Sequence, residues 1–218
     1  DETDAEGHVL GEFAPKDIVV NCGYSYLFSD RWTGGAALKM IYSKLADYSS
    51  VALAVDLGLN YFDEEQDLSA SLSVQNIGTQ VKAYDDGMKT HLPFTLTLGF
   101  SKGFDHLPVR IHAAFTDVTR WKSNYYALPD ADSKKVKFGS KLLNHFVVGL
   151  DILPTNYLYI AAGYNFRRAY ELKASGSSKM AGLSFGAGID LKGFKFGLSY
   201  ARYHLAASSI MGSLAYSF

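Results

Sequence analysis

Cysteine is almost absent: Cys22 is the only one in 218 residues, so no disulfide can close within the chain and no Cys/His zinc pattern is present. Long apolar runs are missing as well. No stretch approaches the roughly 20 apolar residues that a spanning helix needs, and mean hydropathy is -0.02. Neither sign of charge is in excess, since 21 basic against 22 acidic side chains leave a net charge of -1. That balance removes the electrostatic footprint of a nucleic-acid binder, and no nucleic-acid partner is expected. The residues at Asp1 and beyond do not form a charged n-region followed by an apolar h-region, so no secretory signal is read there.

What the chain does have is 48% hydrophobic residues, 20 glycines and 14% aromatics, with 15 Tyr and 14 Phe. That mixture suits strands bearing interfacial aromatic girdles better than it suits helices. A transmembrane strand pairs an apolar face with a polar one, so the two cancel in any average and a near-zero hydropathy is what such a chain gives.

The alternation itself has a period of two, the spacing at which successive side chains leave opposite faces of a strand. Phe94, Leu96, Leu98 and Phe100 interleave with Thr95, Thr97, Gly99 and Ser101. Leu68, Ala70, Leu72 and Val74 oppose Ser69, Ser71, Ser73 and Gln75, and Ile210, Gly212, Leu214, Tyr216 and Phe218 oppose Ser209, Met211, Ser213, Ala215 and Ser217. The same pattern predicts about eleven strands, near 18–28, 31–43, 50–62, 68–76, 93–103, 108–119, 143–153, 156–168, 178–190, 193–203 and 208–218. Most reach the roughly 9–11 residues that a tilted strand needs to cross a bilayer, whereas strands of soluble sandwiches average about five or six. A soluble sandwich or lipocalin-like barrel also alternates. Against it stands the polar face, where Asp56, Gln75, Arg110, His112, His145, Asp151, Asn165, Arg167, Asp190 and Lys195 fall and would need water or one another.

The expected fold is therefore all-β, a transmembrane antiparallel up-and-down β-barrel, with residues 1–218 forming a single outer-membrane barrel domain. Short connections at 29–30, 63–67, 103–107, 154–155 and 192 are expected on the periplasmic side, and 77–92 and the long loop 120–142 outside. That count places 1–17 outside too. Because bacterial barrels usually have an even strand number with both ends periplasmic, an odd number of N-terminal strands is expected to lie upstream.

Candidate chemistry is sparse, and no catalytic residue, cofactor or metal is expected. His112 and His145 read as neighbours on the polar face near Asp151 and Asp117, so a Ser/His/Asp set can be drawn, but no serine stands on a distinguishing turn and hydrogen-bonded filling is the simpler account. Asp63, Glu64, Glu65 and Asp67 lack the spacing of a calcium loop and read as a solvated turn, as do Asp85, Asp86 and Gly87. Gly34 and Gly35 lie within a strand with no helix after them, which excludes a phosphate loop. The most partner-like segment is the loop 120–142. Its aromatic and basic residues Arg120, Trp121, Lys122, Tyr125, Tyr126, Lys134, Lys135 and Phe138 suit a protein interface or anionic lipopolysaccharide.

Several stretches carry a family resemblance. The run from Lys39 to Ser50 (KMIYSKLADYSS), the following ALAVDLGL of residues 52–59, SVQNIG at 73–78, Leu92-Pro93-Phe94 and Phe115-Thr116-Asp117-Val118-Thr119 resemble the PorQ family of the Bacteroidetes type IX secretion system. The likeness covers roughly residues 10–218. It implies a fourteen-stranded barrel like that of PorV and the FadL transporters, of which this chain would be the C-terminal part with three strands missing. It also implies a non-catalytic role in a cell-surface attachment complex, with PorV, the sortase-like PorU and a PorZ-like surface protein as partners. The alternative expectation is a FadL-like outer-membrane transporter of hydrophobic small molecules.

Overall fold

The computed structural model describes residues 2–3, 9–11, 15–46, 48–84, 91–104, 106–122, 136–174, 181–202 and 208–217. A short ladder joins β1 (Glu2–Thr3) to β2 (Val9–Gly11). Eleven further strands form one antiparallel sheet: β3 (Lys16–Ser29), β4 (Trp32–Leu45), β5 (Tyr48–Asp63), β6 (Leu68–Lys82), β7 (Thr95–Phe104), β8 (Leu107–Phe115), β9 (Phe146–Thr155), β10 (Leu158–Asn165), β11 (Leu183–Leu191), β12 (Phe194–Arg202) and β13 (Ser208–Tyr216). They are hydrogen-bonded in sequence order from β3 to β13, which is up-and-down topology without a crossover. Two helices interrupt the pattern, α1 (Phe138–Asn144) and α2 (Phe166–Ala174). Neither is long and apolar enough to cross a membrane.

The chain divides into two compact units, residues 1–59 with 73–95 and residues 60–72 with 96–218, and β5 and β6 contribute to both. In the first unit β3 and β4 pair over almost their full lengths, from Lys16↔Lys44 to Ser29↔Trp32. Val20, Tyr24, Leu38 and Met40 share one face by this register and stand exposed. Asn21 and Lys39 share the other.

In the second unit the register sorts side chains without a break from β7 to β13. One face carries Phe100, Leu150, Ile160, Phe185, Leu198, Ile210 and Leu214, all exposed. The opposite face carries Ser101, His112, Gly149, Gly163 and Ser184 in one registered row, and Gly103, Arg110, Asp151, Ala161, Gly186 and Ser199 in the next. Small and polar groups thus predominate on one side, with Val147, Tyr159 and Met211 as exceptions, and large apolar groups on the other. Glycine is required where the Tyr159 ring lies across Gly188, with its hydroxyl 3.3 Å from the site of a Cβ at Gly197.

The eleven strands of the large sheet agree with the sequence pattern, but the segment 1–17, expected as a loop, carries the β1–β2 ladder and the start of β3, and several boundaries move. The strand expected at 108–119 stops at Phe115, because the chain turns there: Asp117 takes φ 53°, Val118 N–H donates to the Leu96 carbonyl and Arg120 N–H to that of Asp117. Residues 143–145, expected in a strand, close helix α1 instead, so His145 is not on the polar face of the sheet. Arg167 leaves that face too. Asn165 ends β10 and its side-chain oxygen accepts the Arg168 N–H at 2.9 Å, an N-cap that starts α2. Strand β6 runs on to Lys82, past a kink at Asn76 (φ 59°). The connection between β4 and β5, expected to be about six residues, is only 46–47, with Ala46 at φ 52°. Tight turns therefore occur at both ends of the sheet. The expected turn at Asp85, Asp86 and Gly87, the terminal Phe218 and most of the expected segment 1–17 lie outside the described residues.

Candidate functional site

The polar face binds its own charges in pairs. In the first unit Lys39 Nζ lies 2.6 Å from Asp56 Oδ2 and donates to Asn76 Oδ1 at 3.0 Å. The kink at Asn76 turns its backbone N–H toward Asp56 Oδ1 (2.7 Å), and its side-chain amide donates to the Pro93 carbonyl (3.0 Å). Gln80 and Ser50, both buried, hydrogen-bond at 2.8 Å. The kink also changes the phase of β6. Ser69 and Ser71 face Asn60 and Gly99 before it, whereas after it the even-numbered Gln80 is the residue that bonds Ser50 on β5.

In the second unit the acidic stretch is tied down by protein partners. Buried Asp63 accepts from Tyr61 Oη and from the Gln66 N–H, both at 3.3 Å. Asp67 receives both arms of a contact from Arg110 Nη2, at 2.9 and 3.0 Å, and its carbonyl accepts the Gly103 N–H at 2.8 Å. Lys195 and Asp190 pair at 3.4 Å on the same face.

His112 and His145, adjacent in the sequence reading, part company. His112 Nε2 lies 2.7 Å from Asp151 Oδ2 on the polar face, beside a hollow of about 410 Å³. His145 is fully buried at the end of α1, with Nδ1 2.7 Å from the Lys141 carbonyl and Nε2 3.0 Å from that of Arg120. Its ring stacks on Trp121 at 4.3 Å, and Trp121 stacks in turn on Phe138 at 5.9 Å. The Ser/His/Asp grouping that included His145 and Asp117 therefore does not assemble. Asp117 instead meets Arg167 at 3.0 Å and Arg120 at 3.8 Å.

Of the segment expected to meet a partner, Arg120, Trp121, Lys122 and Phe138 are described, and Tyr125, Tyr126, Lys134 and Lys135 lie outside the described residues. Trp121 faces inward to its stack and donates Nε1–H to the Val118 carbonyl at 2.6 Å. Lys141 caps it by donating to the Trp121 carbonyl at 2.8 Å. Phe138 is the outward ring of the stack, 72% exposed. Sequence reasoning missed His145 as the centre of this cluster, because its parity matched a strand that does not extend so far. It also missed the kink at Asn76 and the turn at Asp117, for which the only signal is that Asn and Asp tolerate the left-handed conformation they adopt.

Topology, registered faces and strand lengths together define an all-β, antiparallel up-and-down sheet of the kind from which transmembrane β-barrels are built. No protein-family model matches the chain, and no curated protein sequence does. Among solved structures, the toluene transporter TbuX of Ralstonia pickettii is similar, with a TM-score of 0.52 and 14% identity over 93% of this chain and 68% of that one. At that identity the likeness concerns the fold.

Proposed function

We infer that this protein is a FadL-like outer-membrane barrel that passes hydrophobic small molecules. The observation that carries the reading is the fold shared with a toluene transporter, on a sheet whose one face is continuously apolar and exposed. Those side chains suit contact with lipid, and the opposite face, with charges paired as Lys39–Asp56, Arg110–Asp67 and Lys195–Asp190 and Asp151 hydrogen-bonded by His112, suits a wet interior. Pairing matters for an apolar cargo. A neutralised wall repels an uncharged molecule less than isolated charges, which would hold a tight shell of water. This reading assigns no residue a catalytic role and has the end bearing Trp121 and Phe138 face the outside of the cell.

Deleting the gene and following uptake of labelled toluene by intact cells tests this. Accumulation is expected to slow several-fold and to recover on complementation. Unchanged uptake of toluene and of longer apolar compounds would contradict it.

A second reading, as a non-catalytic type IX secretion component, is favoured by the resemblance of residues 39–59 and 73–78 to PorQ and by exposed Phe138, which follows Lys137 in the sequence. In it the barrel anchors a PorZ-like surface protein alongside PorU and PorV. Gentle extraction from outer membranes with mass spectrometry of what co-purifies separates the two. A surface protein in stoichiometric amount supports the anchor, and a barrel carrying only an apolar small molecule supports the transporter.

A further inference from the structure

Within the second unit the ≈ 410 Å³ hollow on the polar face has a floor that is nearly bare backbone, because Gly99, Gly149 and Gly163 line it. At Gly163 an added Cβ would come 2.8 Å from Ser184 Oγ, but at Gly149 it would meet only ordinary contacts of 3.4 to 3.7 Å. A side chain can therefore be seated at Gly149 without a clash, though in contact with its neighbours. His112 stands at its edge. Its Nε2 is 2.7 Å from Asp151 Oδ2, and since a carboxylate only accepts, Nε2 must be the nitrogen that carries the proton and donates. In the neutral ring Nδ1 is then an acceptor. The Cδ2 edge of the ring lies 3.7 Å from the Gly149 Cβ position, so the opposite edge, which bears Nδ1, turns toward β7. There Ser101, the register partner of His112, also lines the hollow. Among the described residues no protein group donates to His112 Nδ1.

We propose that this hollow is a subsite for a small apolar molecule bearing one hydroxyl, which lies on the glycine floor beside Val147 and donates its proton to His112 Nδ1. Asp151 acts as a positioning residue, fixing the tautomer and ring orientation of His112. The site is built to hold a molecule and not to transform one: the strand N–H groups around it are spent in the ladder, leaving no paired donors for a developing oxyanion. This inference rests on the transporter reading and narrows its cargo.

Phenol and toluene, which share a ring and differ by hydroxyl against methyl, are the probes. Each is titrated into the protein in lipid nanodiscs, at a pH well above the ordinary histidine range, with partition into empty nanodiscs subtracted. Wild type is expected to hold phenol about five- to tenfold more tightly than toluene, the worth of one hydrogen bond. His112→Phe should erase that preference while leaving toluene binding intact, and Gly149→Val, which fills the floor, should weaken both. Heat-modified electrophoretic mobility verifies that each variant is folded. Equal affinity for the two compounds, or a His112→Phe variant that still prefers phenol, overturns the subsite. So does failure of both to saturate the protein while uptake by intact cells still depends on it. Loss of that dependence overturns the transporter reading itself.

Discussion

Asp67 occupies φ 45°, a conformation that Asp tolerates better than most residues with a side chain. The turn holds its carboxylate against Arg110 and its carbonyl against Gly103 N–H. About a third of each side chain in the pair is exposed, so the full worth of a charge-assisted contact is reduced by solvent. Asp67→Ala is expected to cost about 1–2 kcal/mol in unfolding experiments on the folded protein in vesicles, and Asp67→Asn, which keeps an acceptor and the tolerance for positive φ, about half of that. Equal stability of wild type and Asp67→Ala would show the contact to be incidental. The acidic character of 63–67 was legible in the sequence, and so was its reading as a turn. The partner across 43 positions was not, because nothing local marks Arg110 as the cation that reaches it.

An element such as β12 carries its information in alternation. Leu198, at the middle of Phe194–Arg202, is 62% exposed on the apolar face, and Ser199 beside it points to the other. Leu198→Arg is expected to destabilise the protein in vesicles by about 2–4 kcal/mol, the cost of a cation at mid-bilayer on a lipid-facing strand position. Ser199→Arg should cost much less, and similar costs at the two positions would contradict the assignment of faces. Period two made such strands readable. It failed where the chain changes period within a few residues, as in Leu142-Leu143-Asn144-His145-Phe146, where an apolar run fits the last turn of α1 and the start of β9 equally well. It failed at Asn76 too, since one kinked residue shifts every later side chain to the other face.

The stack of His145, Trp121 and Phe138 shows what the helical element contributes. Trp121→Ala removes the ring between the other two and strips His145 of its cover, so α1 should lose its seat. Limited proteolysis of the folded protein is expected to cut within 120–142 about tenfold faster in this variant, and an unchanged cleavage rate would mean that the stack does not hold α1. The sequence reading gave this segment to an outside partner. The structure spends Trp121 on internal packing and leaves Phe138 as the exposed ring.

At the scale of the whole molecule, a membrane-spanning sheet must meet lipid with one face and water with the other. Cys22 is the only cysteine, so a Cys22→Ser background accepts single labelling sites anywhere else. Spin labels placed one at a time along β12 and β13, from 196 to 200 and from 210 to 214, would be read in lipid vesicles for collision with oxygen, which concentrates in the bilayer, and with a water-soluble nickel chelate. The predicted result is two opposed oscillations of period two. Positions 196, 198, 200, 210, 212 and 214 should be oxygen-accessible, and 197, 199, 211 and 213 nickel-accessible or shielded from both. Nickel accessibility on both faces, or oscillations in the reverse phase, would contradict the transmembrane account.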